Sequence, residues 1–115
     1  MKPCIFIGSS LRDLREFPAD VRAVMGAAIQ TAQYGGKATS AKPLKGLGSG
    51  VFEIVESYDG NAYRGVYIVR FDTAIYVLHA FVKKSTTGIK TAQRDIEMIK
   101  ARIKTAEEHH AGRQG

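Results

Sequence analysis

The chain has a single cysteine, Cys4. No intramolecular disulfide can form, and the thiol lies in the apolar run CIFI (4–7), where it reads as buried and inert rather than reactive. No apolar run approaches the ~18 residues that a membrane span requires. The opening stretch MKPCIFIGSS is too short for a signal peptide and is followed at once by charges. A soluble, cytoplasmic protein without a membrane partner is the expectation. No stretch has nucleotide-loop spacing: GLGSG (46–50) fits neither the Walker pattern nor the dinucleotide fingerprint, so no cofactor is expected. Internal repeats and low-complexity segments are absent. Acidic residues are also few. Eleven Asp and Glu face seventeen Lys and Arg, giving a net charge of +6. On so small a domain this positive field favours an anionic partner, nucleic acid before an acidic protein or a membrane surface.

What is present describes one globular domain over residues 1–115. Hydrophobic residues make up 44% of the chain and charged residues 24%, a balance that can bury one core without a staple. KPCIFIG (2–8) reads as a first strand. Ser9 or Ser10 can cap a short helix carrying Leu11, Leu14 and Phe17. Pro18 suits the first turn of a second helix, whose stripe of Val21, Val24, Met25, Ala28, Ile29 and Ala32 ends at YGG (34–36). The pair makes a helical hairpin. Residues 37–50 read as a glycine-rich loop.

Three strand patterns follow at 51–57, 62–71 and 74–84. The strong turn signal Asp59–Gly60 lies between the first two, so a three-strand antiparallel meander is predicted, completing a small twisted sheet. Thr91 can cap a last helix. Its seam is Ala92, Ile96, Ile99, Ile103 and Ala106, and residues 105–115 read as a frayed tail. The fold class is α+β.

The stretch YVLHAFVKKS (76–85) carries the functional question. It begins as a good strand and ends on a histidine and two lysines, which a strand that only fills a sheet does not need. Side chains alternate faces along a strand. Parity therefore groups Val77, His79, Phe81 and Lys83 on one face and leaves Tyr76, Leu78, Ala80, Val82 and Lys84 on an apolar core face. Extended to the neighbouring strands, it gathers Glu53, Arg64, Arg70, His79 and Lys83 on an open sheet face. A bulge would reverse the sorting.

Such a face suits phosphodiester chemistry. Guanidinium and ammonium groups bind phosphate and stabilise the charge of its transition state. A histidine moves a proton near neutral pH, and a carboxylate such as Glu53 can assist it. The 2′-hydroxyl of RNA supplies the nucleophile, so no metal is obligatory. Taken one at a time, these residues have blander roles: a packing histidine, solvated arginines, lysines that guard a strand edge. Lys42 and Lys45 could bring the basic loop over RNA phosphates. Tyr58, Tyr63 and Tyr67 could stack on bases, but tyrosine is common in strands and packing is the better reading. His109–His110 lacks partners at metal-ligand spacing.

Three blocks carry a resemblance: AKPLKGLGSGVFEIVE (41–56), AYRGVYIVRF (62–71) and IYVLHAFVKKSTTGIKTAQRDIEMIKARI (75–103). Together they resemble the phage-derived HigB-like toxins of the RelE/ParE superfamily, in the family's order, from about Leu11 to Lys104. The resemblance implies the toxin of a bacterial toxin–antitoxin pair that cuts mRNA on the translating ribosome without a metal. It implies Arg64 at the scissile phosphate, His79 as the proton-transfer residue, and Lys83 with Lys84 as phosphate ligands. Lys45 would steady the RNA backbone. The implied partner is a small helix-turn-helix antitoxin. The last helix departs from many relatives, which have proline after the threonine of KTAQRD. Two other readings compete with the nuclease: a non-nuclease toxin of the ParE kind that poisons gyrase, and a non-catalytic RNA-binding module.

Overall fold

The computed structural model describes residues 1–84 and 92–114, without the side chains of Lys84 and Gln114. The expected Thr91 cap lies outside the described residues. Eight elements follow one another: β1 (Cys4–Phe6), α1 (Ser10–Arg15), α2 (Ala19–Gln33), β2 (Ala41–Pro43), β3 (Val51–Tyr58), β4 (Asn61–Ile68), β5 (Ile75–Lys84) and α3 (Gln93–Gln114). The domain is α+β, as expected. The sheet has the order β1-β5-β4-β3-β2, with β1 parallel to β5 and the other pairs antiparallel.

The predicted meander is β3, β4 and β5, closed at one end by a turn in which Asp59 adopts φ 51° and Gly60 φ 79°. The sequence offered no sign of β2, which falls in the segment read as loop. Three residues are too few for a visible period. Pro43 suits this strand because β2 is the sheet edge, where a missing N–H costs no ladder bond. At the helix starts, neither serine caps as expected. Ser9 Oγ donates to Asp13 Oδ2 (2.8 Å), and buried Ser10 Oγ donates to the Val77 carbonyl (3.1 Å), tying α1 to β5.

Both faces of the sheet are covered, against the expected open face. On one face α2 buries Val21, Met25, Ala28, Ile29 and Ala32 over Ile54, Tyr67, Ile75, Val77 and Ala80. Gly65 permits that approach: a Cβ there would stand 2.9 Å from Met25 Sδ. On the other face the α3 seam of Ile99, Ile103 and Ala106 packs on Val66, Ile68, Tyr76 and Leu78. Fully burying each such large apolar side chain is worth about 1.5–3 kcal/mol, so two helices hold the sheet rather than one. The stretch expected to fray continues as helix to Gln114. His109 and His110 anchor it. His109 Nδ1 lies 2.9 Å from the Tyr76 hydroxyl, and the His110 ring sits 4.6 Å from that of Phe71.

A bulge changes the parity of β5. Val66 pairs with His79 but Tyr67 with Val77, so Leu78 is the extra residue. Val77, grouped with His79 by simple alternation, instead faces α2, whereas Tyr76 and Leu78 share the α3 side with His79. The sorting fails only on the N-terminal side of the bulge. His79, Phe81 and Lys83 keep the expected company of Glu53 and Arg64.

Candidate functional site

The register builds the site row by row on the α3 side. Lys42 of β2 stands opposite Glu53 of β3, Glu53 opposite Val66 of β4, and Val66 opposite His79 of β5. In the next row Arg64 pairs with Phe81, and beyond it Ala62 pairs with Lys83. Four of the five residues that parity gathered are thus neighbours: Glu53, Arg64, His79 and Lys83. Lys42 joins them from the edge strand.

Arg64 is 4% exposed. Its NH1 group donates to Glu53 Oε2 at 3.0 Å, a pair whose side chains are 5% and 16% exposed. A guanidinium taken this far out of water needs its carboxylate, and the two fix each other's orientation. The pair holds the guanidinium beside Glu53, the residue that stands in the row of Val66 and His79.

His79 is 8% exposed and engaged on both sides. Nε2 lies 2.9 Å from Asp95 Oδ1 and Nδ1 lies 3.4 Å from Arg102 NH1. A carboxylate can only accept and a guanidinium can only donate. Both contacts are made together by the tautomer that carries its proton on Nε2. Its ring stacks on Phe81, with centroids 4.5 Å apart. Arg102 also donates to the Leu78 carbonyl (2.9 Å) and to Ser9 Oγ (3.2 Å). Burial lowers the Arg102 pKa below its ordinary value, and the Asp13 carboxylate opposes that shift. The result is a chain of polar contacts from α3 through β5 to the start of α1.

The remaining predicted residues divide. Lys83 is half-buried on the α3 side. Lys42 is exposed at its edge. Lys84 closes β5, and its side chain is outside the described residues. Lys45 is exposed in the loop after β2, and among the described residues no hydrogen bond or ion pair ties it to the cluster. Arg70 does not join the group. It lies past the end of β4, where it donates to the carbonyls of Ser49 (3.1 Å) and Leu47 (3.2 Å) and pairs with Glu107 of α3 at 2.9 Å. Its work is to fasten the glycine-rich loop. Gly50 belongs to the same fastening: with φ +75°, a Cβ there would stand 2.9 Å from the Arg70 backbone nitrogen.

Of the three tyrosines, Tyr67 is 1% exposed, and Tyr63 packs edge-on to Phe17 (5.0 Å) and Tyr58 (6.3 Å). Sequence reasoning missed Asp95 and Arg102. They are seven residues apart and so share a helix face with Ile99, which the seam had already placed against the sheet. Polar residues flanking a buried seam at that spacing were the available signal. Among the described residues, no group of three or more His, Cys, Asp or Glu gathers at metal-ligand spacing, and no helix is long and apolar enough to cross a membrane.

Comparison with known proteins adds one decisive observation. The family model of the phage-derived Gp49-like proteins (DUF891) matches residues 12–104. The chain belongs to that family. It is a RelE/ParE-like toxin family, and membership is consistent with the toxin of a toxin–antitoxin pair. The Gp49-like match spans α1 to α3 and contains every residue of the cluster. No curated protein and no solved structure matches the chain.

Proposed function

We propose that this Gp49-like toxin is an mRNA endoribonuclease of the HigB kind, acting in the cytoplasm on translating ribosomes and neutralised by a small helix-turn-helix antitoxin. The observation that carries the reading is the row of Lys42, Glu53, Arg64, His79 and Lys83 on one sheet face, in a chain of net charge +6. An arginine fixed by a carboxylate, with lysines and a histidine on the same face, is what transesterification of RNA needs.

In this reading a ribose 2′-hydroxyl gives up its proton and its oxygen attacks the neighbouring phosphorus. The bond from phosphorus to the 5′-oxygen breaks, and that oxygen takes a proton. The products are a 2′,3′-cyclic phosphate and a 5′-hydroxyl. Arg64 and Lys83 stabilise the charge on the phosphoryl oxygens, with Lys42, Lys45 and Lys84 along the RNA backbone. His79 accepts the 2′ proton through Nδ1 once Arg102 releases it, while Asp95 holds Nε2 and stabilises the imidazolium. Glu53 orients Arg64.

One observation favours a second reading. Both ring nitrogens of His79 face protein groups. A histidine so enclosed can be structural, in which case the same cationic face binds RNA, or a protein such as gyrase, without cutting. The test is induction of the wild type, Lys83→Ala, Arg64→Lys and His79→Ala in a bacterial host, with mRNA 5′ ends mapped minutes later and thermal unfolding checked in parallel. New ends inside coding regions, lost in Lys83→Ala and Arg64→Lys, support the nuclease. Arrested growth with intact mRNA refutes it. Cleavage that survives His79→Ala removes His79 from the proton transfer but leaves the nuclease standing.

A further inference from the structure

On the α2 side the sheet outruns its helix. The row of Ile54, Gly65 and Ala80 lies under α2, and the next row on that side is Glu56, Tyr63 and Val82. Tyr58 follows Glu56 on the same side, by strand alternation. Three rings cross this end in a line. Phe17, just past α1, meets Tyr63 edge-on at 5.0 Å, and Tyr63 meets Tyr58 at 6.3 Å. Tyr58 is 41% exposed and Val82 48%. Where the line reaches α1, a cleft of about 330 Å3 opens between that helix and β5, lined by Phe17, Tyr63, Phe81 and Val82 with Asp13 and Glu16.

Charge decides what such a face can take. The chain carries +6 overall, yet among the described residues the cleft lining holds two carboxylates and no lysine or arginine. Asp13 is engaged by Ser9 and Arg12. Glu16 is exposed, and half-buried Glu56 stands opposite Tyr63 in the ladder. Among the described residues, neither of these two carboxylates makes a hydrogen bond or ion pair. They repel a phosphate. A guanidinium is attracted twice, by the carboxylates and by the tyrosine faces beside them. The exposed Val82 and the ring line call for an apolar side chain at the same place. A basic stretch of polypeptide presents both groups within a few residues.

We propose that this end of the sheet docks a basic segment of a partner protein. An apolar side chain of the segment enters the cleft beside Phe17 and Val82, and a neighbouring arginine lies over Tyr63 against Glu16 and Glu56. The proposal does not rest on the nuclease reading, because the cationic cluster lies on the opposite face of the sheet.

The test is a 1H–15N NMR titration of the full chain with a five-residue peptide alternating leucine and arginine, capped at both ends. The same peptide with glutamate in place of arginine, and a short single-stranded RNA blocked by 2′-O-methyl groups, are run beside it. The arginine peptide is expected to shift the amides of Glu16, Glu56, Tyr58 and Val82 saturably, and the glutamate peptide is expected to leave them unmoved. The double variant Glu16→Gln/Glu56→Gln should weaken binding roughly three- to tenfold, the loss of two solvent-accessible charge contacts. Val82→Ser, which removes the apolar contact at an exposed position, should weaken it as well. The proposal is overturned by no saturable shift at those amides, by an equal response to the glutamate peptide, or by unchanged affinity in both variants. RNA that shifts the same amides would also overturn it, because the face would then take nucleic acid. RNA shifts confined to the His79 face support the separation of the two faces.

Discussion

Asp95 Oδ1 lies 2.9 Å from His79 Nε2, joining the first turn of α3 to the bulged half of β5. The bulge turns His79 to the same side as Leu78, and the helix answers with a carboxylate. The contact therefore fixes two things together: the tautomer of the imidazole and the height of α3 above the sheet.

Removing that carboxylate leaves a donor unsatisfied in a place largely closed to water. Asp95→Ala is expected to lower the unfolding free energy by about 1–3 kcal/mol, and Asp95→Asn by less, since the amide oxygen still accepts. Urea denaturation measures both. Equal stability of Asp95→Ala and the wild type would mean that the pair does not form in solution.

The Glu53–Arg64 pair is the more deeply buried of the two. Arg64→Ala strands a carboxylate that is 16% exposed, and truncating one partner of a buried pair costs about 3–5 kcal/mol. The double variant Glu53→Ala/Arg64→Ala should lose less than the sum of the single variants. A double-mutant cycle in urea reads the difference, and strict additivity would contradict the geometry.

Gly50 is a steric test of the loop that Arg70 fastens. Gly50→Ala combines φ +75° with a Cβ 2.9 Å from the Arg70 backbone nitrogen, which cannot swing away as a side-chain tip could. A loss of more than about 1 kcal/mol is expected, from the left-handed conformation alone and then from the clash. Arg70→Ala should lose less, because its ion pair with Glu107 is solvent-exposed. The reverse ranking in thermal unfolding would show that the guanidinium, not the backbone, holds the loop.

Cys4 supplies a pH dependence. Burial pushes its thiol up from 9.0 to about 11. The unfolded chain ionises first, so this contribution to stability is intact below pH 9.0 and is lost as pH rises toward 11. Comparing wild type with Cys4→Ala in urea across that window isolates it. The same burial should keep the native thiol slow toward alkylating reagents at neutral pH. Rapid modification of the folded chain would contradict it.

Most of this arrangement was legible in the sequence, and the exceptions have physical causes. The α2 stripe and the α3 seam repeat at helical spacing, and three long strand patterns flank clear turn signals, so element type followed from period. Parity alone brought Glu53, Arg64, His79 and Lys83 together, because the bulge falls just before His79 and leaves the alternation beyond it intact. The bulge itself has no glycine to announce it, which is why Val77 was placed on the wrong side. Strand β2 was too short to show a period. The open face was an error of a different kind: the α3 seam was read as packing on the sheet, but its polar flank was not, so Asp95 and Arg102 were passed over. Arg70 shared the charge and approximate position of Arg64 but not its strand, since β4 ends at Ile68.

The central claim is that the cluster cuts RNA. The most direct measurement adds the purified chain to a reconstituted translation system with a defined mRNA and identifies the new 3′ ends chemically. The account predicts cleavage within the coding region, ends bearing a 2′,3′-cyclic phosphate, and loss of both with Lys83→Ala in a chain that remains folded. Translation arrested with the message whole, or new ends unaffected by Lys83→Ala, would contradict it.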